Sequence, residues 1–79
     1  MANPQFFPDT VDGKLDHVIE ECAEVILAGM KAKRFGMDNR HPTNPFVRSN
    51  REDLLLEIQD AIAAMQRFVV SLVESPPMT

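Results

Sequence analysis

The hydrophobic residues of this chain recur at intervals of three and four along two stretches, and that spacing predicts two amphipathic helices. In the first stretch the apolar positions are Leu15, Val18, Ile19, Cys22, Ile26 and Met30. In the second, one face carries Leu54, Ile58, Met65, Val69 and Leu72, and the flanks carry Leu55, Ile62, Phe68 and Val73. No stretch shows the alternation that is typical of a β-strand, so we expect an all-α fold.

The ends of both helices are marked by residue types that start or stop helices. The first pattern begins near residues 10–12 and stops at Gly36, a residue that suits the turn after a helix. The second follows Ser49, which stands three residues before Glu52 in a capping-box pattern, and it ends before residue 75. Each helix is thus predicted to span about 24 residues, with a loop of about 12 between them.

A helical hairpin of this kind cannot bury two wide apolar stripes by itself. A chain of 79 residues is expected to be a single domain of marginal stability, and its lone cysteine, Cys22, cannot form an internal disulfide. We therefore expect one helical domain, residues 1–79, that self-associates with a second copy into an assembly of the four-helix-bundle type. Within it, residues 1–10 are predicted to form an extended arm, residues 37–48 the inter-helix loop and residues 75–79 a tail.

The charge and hydrophobicity of the chain argue against several classes of binding partner. The net charge of −4 disfavours nucleic-acid polymers and anionic membranes, because both bind basic surfaces. No apolar run approaches the ~20 residues needed to span a bilayer, and the first residues lack the basic start and apolar centre of a signal peptide. We expect a cytoplasmic protein in a reducing compartment.

Acidic residues cluster on each predicted helix without basic partners. The acids are Glu20, Glu21 and Glu24 on the first helix and Asp53, Glu57 and Asp60 on the second. Each set occupies one sector of its helix, about 100° wide in the first and about 60° in the second. None of the six has a lysine or arginine four residues further on, and Glu20–Glu24 and Asp53–Glu57 are repulsive pairs. If the helices pack side by side, either the pKa values rise or a cation binds; a solvated acidic face is the alternative explanation.

The ligand atoms of these side chains are carboxylate oxygens, and they indicate which cation would bind. Carboxylates without clusters of His or Cys favour Mg²⁺, Mn²⁺ or Ca²⁺ over zinc. We expect Mg²⁺, with Mn²⁺ as a substitute. Small residues near the acids leave room for such an assembly, namely Ala23, Ala28, Ala61 and Ala64.

The two acidic motifs resemble the signature of the MazG-like all-α nucleoside triphosphate pyrophosphohydrolases. The family pattern is EExxE, a spacer and ExxD, and this chain has Glu20-Glu21-x-x-Glu24 followed by Glu57-x-x-Asp60. The surrounding segments EECAEVILAGMKAKRFG and NREDLLLEIQDAIAAM also resemble the motif helices, so the resemblance covers residues 14 to about 70. The spacer of 32 residues is longer than is usual in the family, and the flanking helices of many members are not evident.

The resemblance implies Mg²⁺-dependent hydrolysis of (deoxy)nucleoside triphosphates to the monophosphate and pyrophosphate, a role in nucleotide-pool house-cleaning, and a dimer or tetramer. By position, the metal-binding acids would be Glu21, Glu24, Glu57 and Asp60. Glu20 and Glu21 would be catalytic, with Glu20 acting as an additional ligand or orienting the attacking water. The alternatives are another nucleotide substrate, such as phosphoribosyl-ATP, and a non-catalytic helical dimerisation module with a solvated acidic face.

Five further side chains are candidates for supporting roles. Lys31 and Arg67 each follow an acid of their own helix by seven residues, and Arg34 lies near the end of the first helix. These three are candidates to contact the substrate phosphates. His17 stands one turn before the first acids and is predicted to hydrogen-bond a carboxylate rather than to bind metal. Asn50 is predicted to cap the second helix.

Overall fold

The computed structural model describes residues 8–39 and 47–74, and the regular structure within these ranges is entirely helical. Helix α1 spans Val11–Phe35 and helix α2 spans Asn50–Glu74. The two pack against each other as an antiparallel hairpin, which confirms the predicted all-α hairpin. In the described part of the chain, neither helix has the length and apolar character needed to cross a membrane.

Parts of the predicted arm, loop and tail lie outside the described residues. Of the arm, residues 1–7 are outside, and of the loop, residues 40–46. The tail, residues 75–79, is outside entirely.

Helix α1 begins and ends where the sequence predicts. Thr10 is the N-cap, and its side-chain oxygen accepts a 3.0 Å hydrogen bond from the backbone N–H of Gly13. Gly36 follows the last turn with a φ of 98°, a backbone conformation that glycine adopts without steric strain. Its N–H donates to the carbonyl of Ala32 at 2.9 Å. These bonds satisfy backbone groups that a helix end leaves unpaired.

Helix α2 begins with a modified form of the predicted capping box. Ser49 Oγ accepts from the backbone N–H of Glu52 at 3.2 Å, and the same hydroxyl donates to Glu52 Oε1 at 3.1 Å. In the usual box the glutamate accepts from the backbone N–H of the serine instead. The prediction that Asn50 caps α2 is therefore wrong, because Ser49 occupies the cap. The Asn50 side chain instead donates to the carbonyl of Gly36 at 2.9 Å.

Further bonds between the two helix ends form what we call the clasp. The backbone N–H of Asn50 donates to the carbonyl of Asn39 at 3.1 Å, and that of Arg51 to the carbonyl of Met37 at 2.7 Å. The Arg51 guanidinium also makes two bonds to the Asp38 carboxylate, at 2.9 and 3.3 Å. The clasp fixes the start of α2 relative to the end of α1, and so fixes which residues face each other along the hairpin.

Small and polar residues form the interface between the helices. The buried apolar residues are Ala28, Ala32, Ala61 and Ala64. Near the open end of the hairpin, Lys14 Nζ donates across the interface to Ser71 Oγ at 2.8 Å. Because alanine side chains are short, the two backbones approach closely, and any polar side chains between them come into direct contact.

Many of the large apolar side chains are exposed and lie outside this interface. Among the most exposed are Ile19, Ile26, Leu27, Val69 and Val73, each with more than half of its surface accessible. As the sequence predicted, the hairpin does not bury its own apolar stripes. Exposed apolar surface on this scale is typical of an interaction surface.

Candidate metal centre

Acidic residues from the two helices meet in the middle of the hairpin. Glu21 of α1 and Glu57 and Asp60 of α2 each place one carboxylate oxygen so that the three atoms lie within 4.8 Å of one another. The i,i+3 spacing of Glu57 and Asp60 puts both on the side of α2 that faces α1. The structure thus brings together three of the four acids that the sequence predicts as metal ligands.

Four buried oxygens of these acids lack a hydrogen-bond partner among the described residues. They are Glu21 Oε2, Glu24 Oε2, Glu57 Oε2 and Asp60 Oδ2, so the fourth predicted ligand belongs to the same group. Glu21 is the most enclosed, with only 2% of its surface exposed. A buried carboxylate without a partner is unfavourable. Oxygen donors without nitrogen or sulfur suit a hard divalent cation, so these residues fit Mg²⁺ or Mn²⁺.

Burial and the repulsion between like charges both raise the pKa values of carboxylates in this acid cluster. Burial raises the pKa of Glu21, and the neighbouring carboxylates of Glu24 and Asp60 raise it further, while His17 lowers it. Burial also raises the pKa of Glu57, and the proximity of Glu24 adds to the rise. Two unit charges about 5 Å apart repel by about 3 kcal/mol at an effective dielectric constant of about 20. Full ionisation of the cluster is therefore unfavourable unless a cation neutralises it.

In the metal-free protein, we expect folding stability to rise as the pH falls from neutrality toward the ordinary pKa of a glutamate. The folded-state pKa values of Glu21 and Glu57 lie above their ordinary values, so the folded state binds these protons more tightly than the unfolded chain. This contribution to stability is complete below the unfolded-state pKa and is lost as the pH rises through the raised folded-state values. Thermal unfolding followed by circular dichroism in EDTA, at constant ionic strength, measures it.

Two variants control that measurement. Glu21→Gln removes one of the titrating groups and should flatten the pH profile. Glu74→Gln changes an exposed glutamate at the end of α2 and should keep the wild-type profile. Parallel profiles for the wild type and Glu21→Gln would contradict the prediction.

His17 lies buried beside the acid cluster. Its Nε2 is 3.2 Å from Glu21 Oε1, which confirms the predicted hydrogen bond between this histidine and a carboxylate. On the other side of the ring, Arg67 Nη2 is 3.5 Å from His17 Nδ1. Arg67, a sequence candidate for phosphate binding, is thus placed beside the histidine.

A cleft of about 190 Å³ adjoins the acid cluster on the side of the clasp. Its lining includes Glu24, Lys31, Arg48, Asn50, Asp53 and Glu57. Arg48 Nε donates to Asp53 Oδ1 at 2.8 Å, and this ion pair is partly exposed. Lys31 and Arg48 therefore place two cationic groups next to the acids. This combination suits a ligand that carries phosphates and that would bind together with a divalent cation.

Two predicted site residues lie away from the three converging oxygens. Glu20 is exposed and borders a separate pocket near the start of α1. Arg34 is also exposed, and its guanidinium lies over the ring of Phe35, 5.9 Å from the ring centroid. Arg34 does not line the cleft, whereas Lys31 does.

Arg48 is the cleft residue that the sequence reasoning missed. It stands directly before the N-cap of α2, where the positive end of the helix dipole disfavours a cation. An acidic neighbour offsets this effect, and Asp53 lies five residues further on. That pairing is the one signal in the sequence that points to Arg48.

No protein-family model, curated protein or solved structure matches this chain. The geometry by itself defines a helical hairpin with a buried acid cluster and a cleft with two cationic side chains beside it. Its functional interpretation depends on that geometry and on the resemblance of the two acidic motifs.

Proposed function

We propose that this protein hydrolyses (deoxy)nucleoside triphosphates to the monophosphate and pyrophosphate with the help of Mg²⁺ or Mn²⁺. The observation that carries the proposal is the set of four buried carboxylate oxygens that lack hydrogen-bond partners in the described part of the chain. Three acids of this set place oxygens within 4.8 Å of one another. Buried like charges destabilise a fold unless a ligand neutralises them, and a divalent cation with oxygen ligands does so.

The acid cluster would hold the metal through its inward oxygens. The metal ligands in this proposal are Glu21, Glu24, Glu57 and Asp60. A bound Mg²⁺ supplies charge neutralisation for the triphosphate and increases the acidity of water. In the reaction, the oxygen of water forms a bond to the α-phosphorus. The bond from the α-phosphorus to the oxygen that bridges to the β-phosphorus breaks, and pyrophosphate leaves.

Other side chains have distinct roles in the same reaction. A carboxylate of the acid cluster would take the proton of the attacking water, whereas Glu20, which is exposed and borders a separate pocket, has no direct part in this step. Lys31 and Arg48 line the cleft beside the acids and would bind the outer phosphates. Attraction between these cations and the phosphates then fixes which end of the substrate lies toward the clasp.

Self-association is the second part of the proposal. A shallow apolar groove on α2 is lined by Ile62, Met65, Gln66, Val69 and Val70. Because the core between the helices consists of alanines, a second copy packed on this face would supply the large apolar contacts that a single hairpin lacks. The expected product is a homodimer or homotetramer built as a four-helix bundle.

The products of hydrolysis test the proposed reaction. With Mg²⁺ present, a panel of nucleoside and deoxynucleoside triphosphates should yield monophosphate and pyrophosphate, and EDTA should stop the reaction. In ¹⁸O-labelled water the label should enter the monophosphate, because attack is at the α-phosphorus. A β,γ-methylene analogue should still be cleaved, whereas an α,β-methylene analogue should not. Release of diphosphate and inorganic phosphate, or no turnover of the panel by metal-loaded protein, would contradict the proposal.

A non-catalytic interaction module is the competing function, and the exposed apolar side chains favour it. It shares the prediction of self-association. The two functions differ in the role of the acidic residues. If these residues only form a solvated face, a divalent cation should not stabilise the protein. The metal response described in the Discussion separates the two.

A further inference from the structure

A row of three side chains runs from α2 into the acid cluster. Arg67 of α2 places Nη2 3.5 Å from Nδ1 of His17 on α1. His17 in turn places Nε2 3.2 Å from Glu21 Oε1. His17 and Glu21 are both buried, so this arrangement belongs to the interior of the hairpin.

The chemistry of arginine determines where the imidazole carries its proton. A guanidinium group has donors and no acceptor. A neutral His17 that accepts from Arg67 at Nδ1 carries its proton on Nε2. That N–H points to Glu21 Oε1, and the imidazole donates to this carboxylate oxygen.

The consequence for Glu21 is that its two oxygens differ. Oε1 accepts from His17, and Oε2 is the buried oxygen without a hydrogen-bond partner among residues 8–39 and 47–74. Without a donor on Oε1, the like charges of Glu24 and Asp60 favour rotation of the Glu21 carboxylate away from the cluster. The donor opposes that rotation.

We propose that His17, itself oriented by Arg67, is a positioning residue that holds Glu21 so that Oε2 faces the divalent cation. The inference rests on the metal site of the proposed function and adds to it the groups that orient one ligand. It also gives Arg67 a role in the interior instead of a contact with substrate phosphates. Hydrogen-bonded neighbours of metal ligands commonly change metal affinity by about 10- to 100-fold when they are lost.

Mn²⁺ affinity of the full chain tests the proposal, with free Mn²⁺ measured by electron paramagnetic resonance. His17→Phe keeps a ring of similar size and removes the donor, so it should weaken Mn²⁺ binding by about tenfold or more. His17→Gln keeps an N–H donor near the position of Nε2 and should stay within about threefold of the wild type. Lys14→Met is the matched control, because it removes another hydrogen bond between the helices, to Ser71, away from the acids.

Nuclear magnetic resonance supplies a second readout that packing alone would not change. Long-range ¹H–¹⁵N correlation should show the proton of His17 on Nε2, and Arg67→Met should shift the ring toward a mixture of tautomers. The His41→Gln variant assigns the signals, since the chain has two histidines.

The outcomes separate this inference from the proposed function. Equal Mn²⁺ affinity in wild type and His17→Phe, or equal losses in His17→Phe and His17→Gln, would overturn the positioning role and leave the metal site intact. A loss in Lys14→Met as large as that in His17→Phe would also overturn it. Failure of the wild type to bind Mn²⁺ would overturn the proposed function and this inference with it.

Discussion

Glu57→Gln is expected to lower kcat/KM for pyrophosphate release by about a thousandfold and, in the absence of metal, to stabilise the fold. The two effects have opposite signs because the same carboxylate binds the cation and repels its neighbours. A metal ion contributes several kcal/mol of transition-state stabilisation, and each 1.36 kcal/mol corresponds to about a tenfold change in rate. Glutamine has nearly the shape of glutamate, so packing changes little.

Thermal unfolding shows the second effect. For the wild type, Mg²⁺ or Mn²⁺ at about 100 times its Kd should add about 2.7 kcal/mol of stability. For a domain of this size that corresponds to a rise in Tm of roughly 10–20 °C. The Glu57→Gln variant should have a higher Tm than the wild type in EDTA, because burial and Glu24 raise the pKa of this glutamate. It should lose most of the rise with metal.

Glu74→Gln is the control for both measurements, since this glutamate is exposed and lies at the far end of the same helix. It should match the wild type in activity and in metal response. If Glu57→Gln retained full activity and the full metal-induced rise in Tm, the acid cluster would not be the metal centre. If neither protein responded to metal and the variant were more stable, the interaction module would be the better explanation.

The double variant Ile62→Lys/Val69→Lys is expected to convert the assembled protein to a monomer with a much lower Tm. Both side chains are about half exposed in the hairpin and border the apolar groove of α2. Burying their remaining surface against a second copy contributes roughly 1 kcal/mol each, and a buried lysine without a partner opposes assembly strongly.

Sedimentation velocity and unfolding over about two orders of magnitude in protein concentration measure this effect, because the Tm of an assembly depends on concentration. Glu74→Lys makes the same change in net charge at an exposed position of α2 that does not line the groove, and it should leave the assembly unchanged. A wild type that sediments as a monomer at every concentration would contradict the predicted oligomer.

Local sequence signals were sufficient for the helices and for part of the site. Thr10 and Gly36 mark the ends of α1 because their caps use backbone groups within a few residues, and Ser49 marks the start of α2 for the same reason. The contact between His17 and Glu21 was predictable because residues four apart are neighbours on any helix.

Contacts between distant residues were not predictable in the same way. Arg67 is fifty residues from His17 in sequence, and its position follows from how the alanines let the helices pack. Helical periodicity grouped Glu20 with Glu21 and Glu24 on one sector, yet Glu20 is exposed and Glu21 is buried. A sector of about 100° is wide enough to span both the interface and the solvent, and only packing decides which side chain faces inward.

The clasp has a consequence for how proteins of this design can be recognised. The bonds of Asn50 and Arg51 to Asn39, Met37 and Asp38 join the two helix ends directly, and they set the register of the two helices. The number of residues between the two acidic motifs therefore depends on the length of the connection between the helices. The distance between their carboxylates depends on the clasp. Evolution can lengthen or shorten the connection while the site stays the same. A search pattern with a fixed number of residues between the two acidic motifs would miss chains whose connection differs in length. A pattern that combines the two motifs with the residues of the clasp would still find them.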